Sequence, residues 1–353
     1  GRLIDLKPQE LGLMLDIGRK YFPPSDLFAL LDQMRRFGFN LLHLHFSENE
    51  RFGLQSDFLK SDLNAPVLSK SELTEIVDYA TAKGISVMGE LGMPGHMGAI
   101  LRQYPEFRLI SHLNKPFTNA LDVTNEEAVA LCQSLIQEFY PYFNATDWHL
   151  GGDEYVEPYE YSRNPTLINH SEKRLGPHGN AKDAKLLFLN GLGYYLLDRG
   201  LKPRVWSDDV TNGSLIQLSS EFTIDWWSDQ SPLNTKQFFP GPDTFAKRGY
   251  HLVNCGWTPC YFVLSNQKEL APGFPARPDL SQLSEPWSAK HLRGPATSAG
   301  YSLPDHLARK LTGVKLQVWC DQPEVMSPSE VIEAIKPQME FISHHALLKD
   351  GLA

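Results

Sequence analysis

The chain has 353 residues, 42% of them hydrophobic, with a formal net charge of −9. That length is enough for one large barrel or about two smaller domains. The acidic balance, with no block of basic residues, argues against a nucleic-acid or anionic-membrane partner. No apolar run approaches the roughly 20 residues of a membrane helix, which argues against membrane insertion. The opening GRLIDLKPQE has neither an initiator Met nor a signal-peptide pattern, so a processed or trimmed start is expected.

In chain order, strand formers gather at LGLMLDI (11–17), LLHLHFS (41–47), ISVMGELG (85–92) and DWHLGGD (147–153). They recur at PRVWSD (203–208), FTIDWW (222–227), HLVNCG (251–256) and LQVWC (316–320). Between them, apolar residues fall at helical spacing over 25–38, 69–84, 124–143 and 184–200. Ser69 with Glu72 and Thr124 with Glu127 read as capping boxes, and Gly38, Gly84 and Gly200 as helix ends. Strand runs with mostly helical connections predict an α/β fold, a (β/α)8 TIM barrel, as a single domain over 1–353. A doubly wound open sheet is the alternative, but no G-x-G-x-x-G turn follows an early strand. The later connections are irregular, and the Pro- and Gly-rich 257–303 reads as a long loop insertion after the seventh strand.

Cys132, Cys255, Cys260 and Cys320 are scattered without zinc-site spacing, so buried free thiols are expected and no metal is called for. N-X-S/T sequons begin at Asn144, Asn169 and Asn212, a number that chance supplies in a chain this long.

A barrel builds its site at the C-terminal ends of its strands. Those positions hold Arg19, Glu48 and His96 after the first three strands, and Asp153 and Glu154 after the fourth. Trp206 and Trp227 follow at the fifth and sixth, Tyr261 beyond the seventh, and Trp319 and Asp321 at the eighth. Each alone has an ordinary reading as packing or a surface ion pair. Together, at one end of one barrel, they describe a pocket. Flat aromatics with carboxylates and an Arg suit a sugar, and a carboxylate pair suits cleavage of a glycosidic bond. Adjacent residues at a strand end should diverge, however, so Asp153 and Glu154 do not make an ordinary acid and nucleophile across one bond.

The segment HLGGDEY (149–155) resembles the H-x-G-G-D-E signature of family 20 glycoside hydrolases, the β-N-acetylhexosaminidases. LMLDIGRKYF, LHLHFSENE, MPGHMGAI, PRVWSDD and VWCDQ match further elements, in family order over nearly the whole chain. The resemblance implies a retaining exo-acting enzyme on N-acetylhexosamine glycans that needs no cofactor. In it the substrate's own 2-acetamido carbonyl attacks the anomeric carbon to give an oxazolinium ion. It also implies roles. Glu154 would be general acid and then base, and Asp153 would orient the acetamido group. Arg19 would donate to outer hydroxyls, and Trp206, Trp227 and Trp319 would wall the acetamido pocket. Tyr261 would hydrogen-bond the attacking carbonyl.

Three positions depart from the family pattern. Glu48 stands for the usual Asp that orients His96, and Gly92 stands where a carboxylate is common. Asp321 replaces a Glu that contacts a sugar hydroxyl, one methylene shorter, which leaves room near the non-reducing end. Release of a disaccharide, as by lacto-N-biosidases of the family, is therefore a second reading. A catalytically silent glycan-binding protein is a third, against which the intact acid pair speaks. A glycan substrate favours an extracellular or cell-surface location.

Overall fold

Alternation in the strands decides the architecture. In LLHLH, Leu42 and Leu44 join the main apolar cluster under the helices, while His43 and His45 fall on the opposite face. A strand covered on both faces belongs to a parallel sheet, doubly wound or closed, not to a half-exposed one, and the pairing of the first and last strands decides between the two. The computed structural model describes residues 9–61, 65–211, 213–282, 287–296 and 300–346. The opening eight residues, the Asn212 sequon and parts of 257–303 lie outside the described residues.

The barrel strands are β1 (Glu10–Asp16), β2 (Leu41–His45), β3 (Ser86–Met93), β4 (Asp147–Gly151), β5 (Lys202–Trp206), β6 (Thr223–Trp226), β7 (His251–Asn254) and β8 (Leu311–Trp319). They are joined in that order by parallel pairing, and β1 pairs with β8 to close the (β/α)8 barrel. Outward-facing Leu, Ile and Val pack against helices α1 (Pro24–Arg36), α2 (Lys70–Ala82), α3 (Glu126–Phe139) and α4 (Ala181–Leu197). On α1 the stripe is Leu27, Leu30, Leu31 and Met34, the spacing of one helical face.

The capping box at Ser69 and Glu72 forms, and Gly38, Gly84 and Gly200 end their helices at φ 77°, 71° and 77°. The box expected at Thr124 does not form. Asn125 caps α3 by accepting from the amides of Glu127 and Ala128, because the Thr124 hydroxyl is committed to Asp122 at 2.6 Å. The four thiols are free and buried.

The second half of the barrel is less regular. Residues 207–222 join β5 to β6 without a helix among the described residues, and α5 (Pro242–Lys247) is short. After β7 the chain turns at Trp257–Cys260 and returns as the strand Tyr261–Val263. That strand pairs with the upper part of β8, Tyr261 opposite Gln317 and Val263 opposite Trp319, where β7 has already ended. The insertion thus completes a barrel stave and begins nearer the barrel than a surface loop would. Helices α6 (Pro328–Ala334) and α7 (Lys336–His345) follow β8. No helix among the described residues is long and apolar enough to cross a membrane.

Candidate active site

The barrel interior is polar and paired. The Lys315 ammonium meets the Asp225 carboxylate and lies 2.9 Å from His43 Nδ1, in space left by Gly12, where an added Cβ would come within 3.0 Å of the Lys315 side chain. His43 Nε2 and His45 Nδ1 each lie 2.8 Å from Glu90 Oε1, and the Trp206 indole N–H donates to Glu90 Oε2 at 3.0 Å. Such buried ions persist only when paired.

From this floor a chain of alternating acids and imidazoles climbs to the strand ends. His45 Nε2 lies 2.8 Å from Glu48 Oε1, and Glu48 Oε2 lies 2.9 Å from His96 Nδ1. His96 Nε2 then faces both Asp153 Oδ2 at 3.2 Å and Glu154 Oε1 at 3.0 Å. Burial opposes charge on His96, but Glu48 and Asp153 outweigh it and hold the imidazole well above its ordinary value. His45 is raised in the same way by Glu90 and Glu48. Glu48 and Glu90, despite burial, are held well below the usual carboxylate range by the cations facing them.

The expected divergence of Asp153 and Glu154 is not what the backbone produces. Gly151, Gly152 and Glu154 take φ of 75°, 85° and 49°, which coils the strand end and turns both carboxylates onto one nitrogen. At Glu154 this left-handed conformation is unfavourable for a residue with a Cβ. It is held by the amide of Glu154 donating to Asp208 Oδ2 at 3.3 Å. Asp208 Oδ1 also accepts from the Trp227 indole N–H at 2.7 Å. Burial first, then the charges of Asp153 and Glu154, push the Asp208 carboxyl well above its ordinary value.

Arg19 closes the other side. It contacts Asp16 at 2.9 Å, Glu48 and Glu50 at 3.3 Å and Asp321 at 3.6 Å, and lies over the Trp319 ring at 5.7 Å. Asp321 is exposed, with 43% of its side chain accessible. Tyr261 stacks on Trp257 at 4.1 Å and on Trp227 at 5.9 Å. Burial pushes its phenol well up. Trp206 is buried beneath, 5.7 Å from Trp319, and contributes floor more than wall.

The structure therefore gathers all of the positions read from the sequence, with Arg19, Glu48, His96, Asp153, Glu154 and Asp321 in one ionic group and the four aromatics beside it. Asp208, Trp257, Glu90 and His45 were not singled out. Asp208 lies within PRVWSDD, but nothing in that run distinguishes its first acid from its second, Asp209, which pairs with Lys182 and Lys185.

Among the described residues, two groups have donor sets that a metal ion could use: His43, Glu90 and His149, and His96, Asp153 and Glu154. In the first, Lys315 already supplies the cation, and in the second the protonated form of His96 is favoured, so neither invites a metal.

Residues 11–337 match the family described as Glycosyl hydrolase family 20, catalytic domain. The chain is 28% identical over 276 residues to Lacto-N-biosidase of Bifidobacterium bifidum, covering 78% of this chain and 23% of that protein. It is 29% identical over 231 residues to Beta-hexosaminidase subunit A1 of Dictyostelium discoideum, covering 63% of this chain and 42% of that protein. The chain thus spans less than half the length of these curated relatives. In fold it resembles dispersin B, with a TM-score of 0.73, 23% identity, and coverage of 96% of this chain and 99% of that one. A β-N-acetylhexosaminidase from Bacteroides fragilis gives a TM-score of 0.72 at 21% identity, covering 96% of this chain and 67% of that one. With a match across nearly its whole length and a closed barrel bearing paired acids at its strand ends, the chain belongs to glycosyl hydrolase family 20.

Proposed function

We propose that the chain is a retaining exo-β-N-acetylhexosaminidase that removes terminal β-linked N-acetylglucosamine, or N-acetylgalactosamine, by substrate-assisted catalysis. The observation that carries this reading is the convergence of Asp153 and Glu154 on His96, backed by Glu48. In a substrate complex the two acids serve different ends of one sugar. Glu154 protonates the leaving oxygen and later activates water. Asp153 accepts from the acetamido N–H, so that its carbonyl oxygen faces the anomeric carbon, and offsets the positive charge of the oxazolinium ion. His96, charged and held by Glu48, orients both. Arg19 donates to the outer hydroxyls of the terminal sugar, a task suited to its forked donors. Trp227 and Trp319 wall the acetamido group over Trp206, and the Tyr261 hydroxyl donates to the attacking carbonyl.

Release of a disaccharide is a second reading, favoured by the exposure of Asp321 beside Arg19 and by the Lacto-N-biosidase similarity. Chromophore release from aryl β-glycosides of N-acetylglucosamine, N-acetylgalactosamine and lacto-N-biose separates the readings. Turnover of the monosaccharides is expected. Turnover of the disaccharide alone would establish the second reading, and none on any would favour a glycan binder without hydrolysis.

A further inference from the structure

The acid that protonates a leaving oxygen sits beside whatever that oxygen is attached to, so the space beyond Glu154 limits the leaving group. A cleft of about 160 Å³ opens there, with Glu154 among its lining residues. Its apolar lips come from two separate loops. One carries Phe117, on the strand Pro116–Leu121 that pairs with Arg108–Ile110. The other carries Leu233 and Phe239, in the connection after β6. Leu233 is 70% exposed, a large apolar side chain kept in water at the mouth of a site.

The second loop is preorganised. The Ser231 amide donates to the Gln237 carbonyl at 3.0 Å, the Phe239 amide to the Asp229 carbonyl at 2.9 Å, and Gln230 Nε2 to the Thr235 carbonyl at 2.6 Å. The Asp229 carboxylate ties it to the insertion by accepting from the Ala296 amide at 2.9 Å and the Tyr301 hydroxyl at 3.2 Å. Holding apolar side chains in place before a ligand arrives reduces the ordering cost of binding.

The charge of the cleft has one sign. Its acidic lining residues are Glu154, Glu157, Asp208 and Asp209, with no Lys or Arg among the lining residues; the Asp208 carboxyl, pushed well up, favours its neutral form, which leaves Glu157 as the negative group facing a leaving sugar. Lys182 and Lys185 match Asp209 from behind, not from the cleft.

We infer that this cleft binds the leaving group and selects a neutral sugar, presenting an apolar ring face, against one bearing sulfate or carboxylate. The inference rests on Glu154 acting as proton donor. The C–H face of a sugar packs between Phe117 and the Leu233–Phe239 lip, and its hydroxyls reach Glu157, Ser231 and Gln237. An anionic substituent in the same place meets like charge without a compensating cation.

The test compares one terminal sugar on three leaving groups: fluoride, which fills none of the cleft, a neutral disaccharide, and the same disaccharide carrying sulfate. Wild type should favour the neutral over the sulfated glycan by roughly tenfold or more in kcat/KM, and Glu157→Gln should narrow that gap. In Leu233→Ala/Phe239→Ala, the ratio of neutral glycan to fluoride should fall by roughly tenfold, mainly through KM. Because the ratio is internal to each variant, a partly unfolded sample does not imitate the effect. Equal rates on neutral and sulfated glycans, or a ratio unmoved in the double variant, would overturn the cleft assignment alone. No turnover of the fluoride by wild type would overturn both it and the monosaccharide-releasing reading beneath it.

Discussion

At the residue scale, Glu154 combines an unfavourable backbone with a demanding task. Its left-handed φ of 49° is tied down by Asp208, and its carboxylate by His96. Glu154→Gln should lower turnover by roughly two to four decades on substrates with poor leaving groups. The loss should shrink on very acidic aryl leaving groups, which need little protonation. Equal losses on both would remove Glu154 as the proton donor. Asp321 offers a pH-dependent test. Partial loss of hydration, with the charges of Asp16, Glu48 and Glu154 nearby, pushes its carboxyl up to about 6, against the pull of Arg19. Above that value it is ionised beside Arg19, and below it the pairing is lost. KM for the terminal sugar should therefore rise as pH falls through about 6, and this step should vanish in Asp321→Asn. A step that persists in the variant belongs to another group. The acid pair was legible in the sequence because HLGGDEY is a continuous motif. Asp208 was not, because its work depends on two partners distant in the chain, Glu154 and Trp227.

At the scale of elements, period-two alternation separates a helix-facing apolar set from a polar barrel interior. Lys315 on β8 is the test of that interior. It meets Asp225 and His43 with no exposure to solvent, so Lys315→Met should destabilise the fold by roughly 3–5 kcal/mol by leaving carboxylate charge without its partner. Denaturant midpoints would measure this. A loss under about 1 kcal/mol would show that Arg204, 3.7 Å from Asp225, suffices alone. The early strands and helices could be read from the sequence because each helix there carries a full apolar stripe. The later strands could be read as well, but their connections resisted because they lack such a stripe. The strand Tyr261–Val263 has too few residues for a periodic signal, and only its pairing with β8 gives it a place. The capping shift from Thr124 to Asn125 was hidden for a similar reason, since both residue types cap helices and only Asp122 decides between them.

At the scale of the whole molecule, the acid–imidazole chain from Glu90 to His96 links the stability of the barrel to the state of its site. The imidazoles of His45 and His96 are held above their ordinary value of 6.5 in the folded protein. Their contribution is fully present below pH 6.5 and is lost as pH rises through the folded values. The thermal midpoint should fall as pH is raised from 6.5 into the alkaline range, and Glu48→Gln should flatten that fall while lowering the midpoint itself. A wild-type midpoint constant across the interval would mean that the imidazoles are not charged in the fold.

The central claim, attack by the substrate's own acetamido group, is tested most directly by weakening that nucleophile in place. An aryl β-glucosaminide series with acetyl, fluoroacetyl, difluoroacetyl and trifluoroacetyl on the 2-amino group changes the carbonyl and leaves the leaving group and acid untouched. Substrate assistance predicts a steep, monotonic fall in kcat/KM along the series, totalling roughly three decades or more, about 4 kcal/mol of lost transition-state stabilisation. A flat series would place the nucleophile on the protein and contradict the account.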